Sequence, residues 1–330
     1  MTDHRFDELT RWLTTVVGDD DVTVRPASAD ASARRYFRAT RDGVSSIIMD
    51  APDDAAGIER FGRIAGLMAA AGMHVPQVLA ADPDQGFMML SDLGSVTYLT
   101  ALRDHDPEPL MRDAIDAIVR WQRATVPGTL PAYGTRRMTI GMGLFHDWYL
   151  SRHRGITLTP DQAATWSAAS ARIVAAAASQ PRVNTHRDYM ARNLMLTSPN
   201  PGVLDFQDAA EGPLPYDLLS LLKDAFISWR AEQVDRWCDY YHSAAVAADL
   251  PVGTAEQFRR AFDWVGLQRH LQVLGIFARL HHEAGKTHYL TDAPRFVNYL
   301  AEVIPRYPEL ADLRSLLTEL GVLEVSRPCG

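Results

Sequence analysis

The chain has 330 residues, 47% hydrophobic and 22% charged, with a net charge of -8, the composition of an ordinary globular protein large enough for one large or two modest domains. The acidic balance without a basic patch argues against nucleic acid and anionic membrane as partners, no apolar stretch approaches the length of a membrane span, and no obligatory protein partner is evident. Only Cys238 and Cys329 occur, far apart, which speaks for a reducing cytoplasm and against a disulfide scaffold or a structural zinc site.

In chain order, the first 18 residues carry no signal-peptide core. They read as an amphipathic helix through Phe6, Leu9, Trp12, Leu13 and Val16, stopped by Gly18. Strand character follows at 22–24 and 35–39, then a hairpin turn at Arg41-Asp42-Gly43 and a third strand at 46–49. A helix is expected over 54–71 with Gly72 as its stop, then strands at 75–79 and 87–90. Ser91-Asp92-Leu93-Gly94-Ser95 reads as a hinge. Beyond it helices are expected over about 107–124, 144–153, 160–179, 215–229, 231–247, 254–283 and 292–305. The pattern predicts an α+β chain of two lobes: a small β-rich N-terminal lobe, 1–92, and a larger, mostly helical C-terminal lobe, 93–330.

Residues 186–208, HRDYMARNLMLTSPNPGVLDFQD, interrupt the helical pattern. Short apolar runs at 194–196 and 203–204 flank a turn rich in proline and read as two short strands with polar groups at their ends. Asp188, Asn193 and Asp205 are the groups phosphoryl transfer needs. One acid accepts a proton from an attacking hydroxyl, while an amide oxygen and a second acid hold magnesium against phosphates. Asp217, at the head of an apolar helix, reads as a carboxylate that satisfies free backbone N–H groups.

The spacing resembles the kinase catalytic loop HRDxxxxN followed by a metal-binding Asp. Gln207 stands where a protein kinase has the glycine of Asp-Phe-Gly, and the chain then runs directly into a helix. That shortcut is similar to the aminoglycoside phosphotransferase superfamily, which phosphorylates small molecules. Within it, the segments at 30–38 (DASARRYFR), 47–52 (IIMDAP), 90–94 (LSDLG), 185–195, 202–209, 212–224 and 267–280 resemble the bacterial anomeric sugar kinases that act on N-acetylmuramate and N-acetylglucosamine. The resemblance implies a protein-kinase-like fold, ATP and Mg2+ as cofactors, and transfer to a C1 hydroxyl in peptidoglycan recycling toward UDP-N-acetylmuramate. It implies Asp188 as base, Asn193 and Asp205 as metal ligands, and adenine near Ser91, Asp92 and Leu93.

Lysine is scarce: only Lys223 and Lys286 occur, so the third strand offers no cation for the α- and β-phosphates. The loop before the second strand carries Ser32, Arg34 and Arg35, and a guanidinium can grip two phosphate oxygens; an arginine there is expected to take part of the lysine's role. Glu59, the helix glutamate, is expected to be solvated. For the sugar, Trp148, Arg152, Asp208, Arg269 and Arg279 are the candidates, aromatic faces stacking on rings and arginines meeting a carboxylate. Two other readings stay open: a kinase of another small alcohol or aminoglycoside, and a nucleotide-binding pseudokinase.

Overall fold

The computed structural model describes residues 4–19, 21–27 and 34–323. The chain divides into two compact units, 1–106 with 192–208, and 107–191 with 209–330.

The first unit is built on an antiparallel five-stranded sheet in the order β1 (Thr23–Pro26), β2 (Arg35–Arg41), β3 (Val44–Asp50), β5 (Phe87–Ser91), β4 (Val78–Asp82). The Asp42-Gly43 turn joins β2 to β3 with φ of 50° and 78°, the left-handed pair that a two-residue hairpin requires. Pairing of β4 begins later than residue 75, because Pro76 has no N–H to give a ladder. The first helix, α1 (His4–Val17), ends where Gly18 takes φ 72°. Its Leu9, Trp12 and Leu13 pack on Phe37, Ala39, Ile48 and Phe87, forming the core on one face of the sheet. Asp54 caps α2 (Ala55–Ala70) by accepting the Gly57 N–H at 3.0 Å. The short α3 (Tyr98–Ala101) completes the unit together with the ribbon of β7 (Leu194–Met195) and β8 (Gly202–Val203).

The lobe boundary expected at 92/93 falls inside this unit. The reason is the ribbon: the Leu196 N–H bonds the Val96 carbonyl at 2.9 Å, and the Asn200 amide donates to the buried Tyr98 hydroxyl at 2.8 Å. Residues past 93 are thereby tied to the sheet side.

The second unit is mostly helical: α4 (Pro107–Arg123), α5 (Thr135–Leu144), α6 (Pro160–Ala178), α7 (Tyr216–Leu222), α8 (Ala231–Ala247), α9 (Ala255–Ala284), α10 (Ala293–Val303) and α11 (Ala311–Glu319), with a two-stranded ribbon of β6 (Arg182–Thr185) and β9 (Ala210–Pro213). Helix α9 is the centre: Thr254 and Gln257 form a capping box at its start, Gly285 closes it at φ 64°, and every residue from 261 to 271 is buried. It packs against α5, α6, α7 and α10.

Three expectations are corrected here. The helix placed at 144–153 starts at Thr135 and continues into a π-helical stretch, Phe145–His153, closed by Arg154 N–H to Tyr149 carbonyl. Gly141 and Gly143 dilute the helical signal there. A Cβ on Gly275 of α9 would lie 2.3 Å from the Leu144 carbonyl carbon, so the two helices meet backbone to backbone at this point. The helix placed at 215–229 stops at Leu222: Lys223 leaves helical dihedrals (φ -122°, ψ 61°) and the Asp224 carboxylate takes the Ala225 N–H. Helix α11 was not expected, nor was α5 before residue 144.

Candidate active site

The two acids of the 186–208 segment belong to different ribbons. Asp188 follows β6 in the second unit, while Asn193 and Asp205 stand at the ends of the β7–β8 ribbon in the first. The expectation of one ribbon flanked by polar groups holds for Asn193 and Asp205 only. The apolar pattern before Asp188 lies in β6, which pairs with β9 across the whole insertion.

In the second unit, the chain around Asp188 is bound through its main chain. His186, fully buried, and Arg187 give their N–H groups to the Asp217 carboxylate at 2.7 and 2.9 Å. Arg187 takes φ 77°, a conformation that costs a side-chain-bearing residue energy and persists where surrounding bonds over-determine it. The Asp188 N–H is 3.2 Å from His186 Nδ1, and the Arg187 carbonyl accepts from Arg269 at 3.2 Å. Asp217 thus satisfies backbone N–H groups as expected, but those of the HRD loop rather than of its own helix. Burial pushes Asp217 up in pKa, against the pull of His186, the two N–H groups and Arg269. The Arg187 guanidinium lies 5.0 Å from the Tyr133 ring centre.

In the first unit, the Asn193 side-chain amide lies 3.2 Å from Asp205 Oδ2, and Gln207 donates to Asp205 Oδ1 at 2.8 Å. Asp205 is exposed with φ 63°, a left-handed conformation that Asp tolerates better than most residues. Asp208 is also exposed, three residues on. Amide and carboxylate oxygens are the hard donors magnesium prefers, so this pair fits that ion. Phe61 of α2 packs against Phe206 in a tilted arrangement, ring centres 4.7 Å apart, and anchors the segment between Asp205 and Gln207.

The two arginines at the start of β2, Arg34 just before it and Arg35 its first residue, separate. Successive strand residues point to opposite faces. Arg35 shares the α1 face with Phe37 and sits opposite Asp50, whose carboxylate it grips at 2.7 and 2.9 Å. Arg5 of α1 holds the other oxygen of that fully buried acid. Asp50 stands next to where a strand lysine was sought, and it turns the local charge inward as a clamp for α1. Tyr36 points to the opposite face. Burial raises its pKa, Arg34 lowers it through a hydrogen bond and charge, and Asp205 raises it again, so the phenol lies in the field of both. Arg34 bonds Asp54 at 2.9 and 3.3 Å. Ser32 lies outside the described residues. Tyr36 escaped the sequence reading because nothing in a strand tyrosine announces which face it takes.

At the expected hinge, Ser91 pairs with Gln77 and Leu93 is half-buried. Asp92 takes Arg38 at 2.6 and 3.1 Å and the Gly94 N–H at 2.9 Å. Burial alone would raise its pKa; Arg38, Ser45 and Gly94 outweigh that and hold it low. These bonds tie Asp92 into the turn. Glu59 is exposed, as expected.

Of the sugar candidates, Trp148 is half-buried and Arg152 exposed on the π-helical stretch, with Arg152 beside His282. Arg279 reaches Glu283 at 4.0 Å on the last turns of α9. These lie at one end of α9, where the His153 ring meets those of His281 and His282 at 6.0 and 5.6 Å. Arg269 is not with them. Ten residues earlier, about 15 Å along the helix axis, it is buried against Tyr216 and the HRD loop. Its guanidinium is enclosed there, apart from Arg152 and Arg279.

The chain belongs to the phosphotransferase enzyme family, whose profile matches residues 23–256. It is 45% identical, over 96% of this chain and 97% of the relative, to the N-acetylmuramate/N-acetylglucosamine kinase of Pseudomonas aeruginosa. Choline kinase from Streptococcus pneumoniae superimposes with a TM-score of 0.64 at 10% identity, covering 91% of this chain and 100% of that one. An aminoglycoside phosphotransferase with ADP bound gives 0.61 at 14% identity, covering 91% and 98%. At such identities the two structures speak for the fold alone, and the expected α+β, protein-kinase-like class is borne out.

Proposed function

We propose that the chain is an ATP-dependent sugar kinase that phosphorylates the anomeric C1 hydroxyl of N-acetylmuramate and N-acetylglucosamine. The acceptor reading is supported by the full-length 45% identity to a kinase of that name. The observation that supports the chemistry is the bound main chain around Asp188, which fixes the backbone carrying that carboxylate beside a strained residue. Asp188 accepts the hydroxyl proton as the sugar oxygen bonds to the γ-phosphorus and the bond to the ADP oxygen breaks. An anomeric hydroxyl is more acidic than an ordinary alcohol, so one carboxylate suffices as base.

Asn193 and Asp205 would hold magnesium, which when bound neutralises charge on the phosphates. Among the described residues no group of three or more His, Cys, Asp or Glu is gathered around a metal position; magnesium, which keeps waters and takes phosphate oxygens, needs only one or two protein ligands. Arg34, with Tyr36, is assigned to the phosphates, and Ser91, Asp92 and Leu93 to the adenine. Residues 1–92 are assigned to the nucleotide and 93–330 to chemistry and sugar. Among the described residues no helix is long and apolar enough to cross a membrane. The reaction is assigned to the cytoplasm, feeding reuse of cell-wall amino sugars.

The test is a product assay. Protein, ATP and magnesium are incubated with a panel of sugars and alcohols, and the product is held in mild acid. A sugar 1-phosphate hydrolyses there, whereas phosphate on an ordinary hydroxyl persists. An acid-stable product, or no ATP consumed with either amino sugar, rejects the proposal.

A further inference from the structure

We propose that Arg269 is a positioning residue for Asp188: a guanidinium enclosed in the second unit that fixes the peptide group leading into the base and lends it a cationic neighbour. The inference rests on the reading of Asp188 as the base and goes beyond it in naming what holds that base.

The residue type is the first observation. Arg269 lies in the stretch of α9 where every residue from 261 to 271 is buried. A cation costs several kcal/mol to bury unless its donors are matched, and an apolar residue would pack there without that cost. The second is where its donors go. One nitrogen, Nη1, reaches both the Arg187 carbonyl at 3.2 Å and the Tyr216 hydroxyl at 2.8 Å, and the guanidinium lies over the Tyr216 ring at 5.0 Å.

The peptide joining Arg187 to Asp188 is therefore bound at both of its polar atoms. Its carbonyl takes Arg269 and its N–H, that of Asp188, meets His186 Nδ1 at 3.2 Å. Asp217 holds the two N–H groups before it. A chain segment with φ 77° at Arg187 keeps that geometry only while such bonds persist.

Charge is the third observation. Burial works against the Arg269 cation, but Tyr216 and then Asp188 attract it and leave its pKa above the ordinary arginine value. Asp224, 4% exposed, is a second anion drawn to the same guanidinium. Its Oδ1 takes the Ala225 N–H, while its Oδ2 is buried with no hydrogen-bond partner among the described residues. Arg269 is thus attracted to two carboxylates, that of Asp188 and the enclosed one of Asp224. It acts through Asp188.

The test is a mutant cycle on the full chain. Arg269→Gln and Arg269→Lys are made alone and in an Asp188→Asn background, with kcat, both KM values and thermal unfolding measured. Losing a buried charged hydrogen bond predicts a fall in kcat of about 10- to 100-fold for Arg269→Gln with KM values within about twofold. Arg269→Lys recovers part of kcat. In the Asp188→Asn background Arg269→Gln costs less than about threefold, since there is no base left to position.

An equal loss in both backgrounds overturns the proposal, as does wild-type kcat in Arg269→Gln. If the glutamine variant does not fold, the cycle is read on Arg269→Lys by the same criteria. Full activity in Asp188→Asn alone overturns the base assignment and this proposal with it. Loss in Asp188→Asn beside an intact Arg269→Gln rejects only the role of Arg269.

Discussion

Removing the Asp217 carboxylate tests how the catalytic loop is held. Asp217 is fully buried and accepts two main-chain N–H groups, from His186 at 2.7 Å and Arg187 at 2.9 Å. In Asp217→Ala both donors are left buried and unmatched, at about 1–3 kcal/mol each. Part of that is offset, because the variant no longer encloses a carboxylate whose charge burial disfavours. A net loss of about 2–4 kcal/mol follows, or on the order of 10 °C in melting temperature for a unit of roughly 200 residues.

Function falls further than stability. With its N–H unbound, Arg187 loses part of what keeps it at φ 77°, and the next residue is Asp188. A displacement of about 1 Å in a positioned group costs on the order of 10² in rate. The expected result at a temperature where the variant is folded is a drop of about that size in kcat, with the KM for ATP little changed. Asp217→Asn, which keeps the shape but turns an NH2 toward one donor, should fall between. Hydrogen exchange gives the direct reading: the His186 and Arg187 amides should lose protection first. Unchanged protection of those amides, or wild-type kcat in Asp217→Ala, refutes the reasoning.

Two further outcomes follow from the geometry. Arg34→Ala should raise the KM for ATP while sparing the fold, whereas Arg35→Ala should lower the melting temperature and leave that KM nearly unchanged, because Arg35 is spent on buried Asp50; the reverse pattern sinks the strand-face argument. Asp224→Asn should make stability less dependent on pH. Burial raises Asp224 from 3.8 to about 6, so its favourable contribution is complete below 3.8 and lost as pH rises through about 6. The neutral amide escapes that loss, by at most about 3 kcal/mol, so the variant should melt like wild type at pH 4 and higher at pH 8. Equal melting at pH 8 refutes it.

The sequence by itself determined the chemistry-bearing segment and most elements. The HRDxxxxN spacing, the Asp-Gly hairpin, the Gly18 stop and the span of α9 are local signals, set within a few residues by turn dihedrals, helix-stop residues and the period of apolar side chains. Only the tertiary structure decided which faces and partners those residues take. Arg34 and Arg35 are adjacent in sequence yet bind different acids, Asp54 ahead of α2 and Asp50 on the sheet face that α1 covers. Arg269 looks like any helix arginine until α9 is seen enclosed from 261 to 271, and Asp217 like any helix cap until β6 brings the HRD loop against it. These pairings join residues 15 to 82 positions apart. Their energy depends on burial, which the rest of the chain supplies.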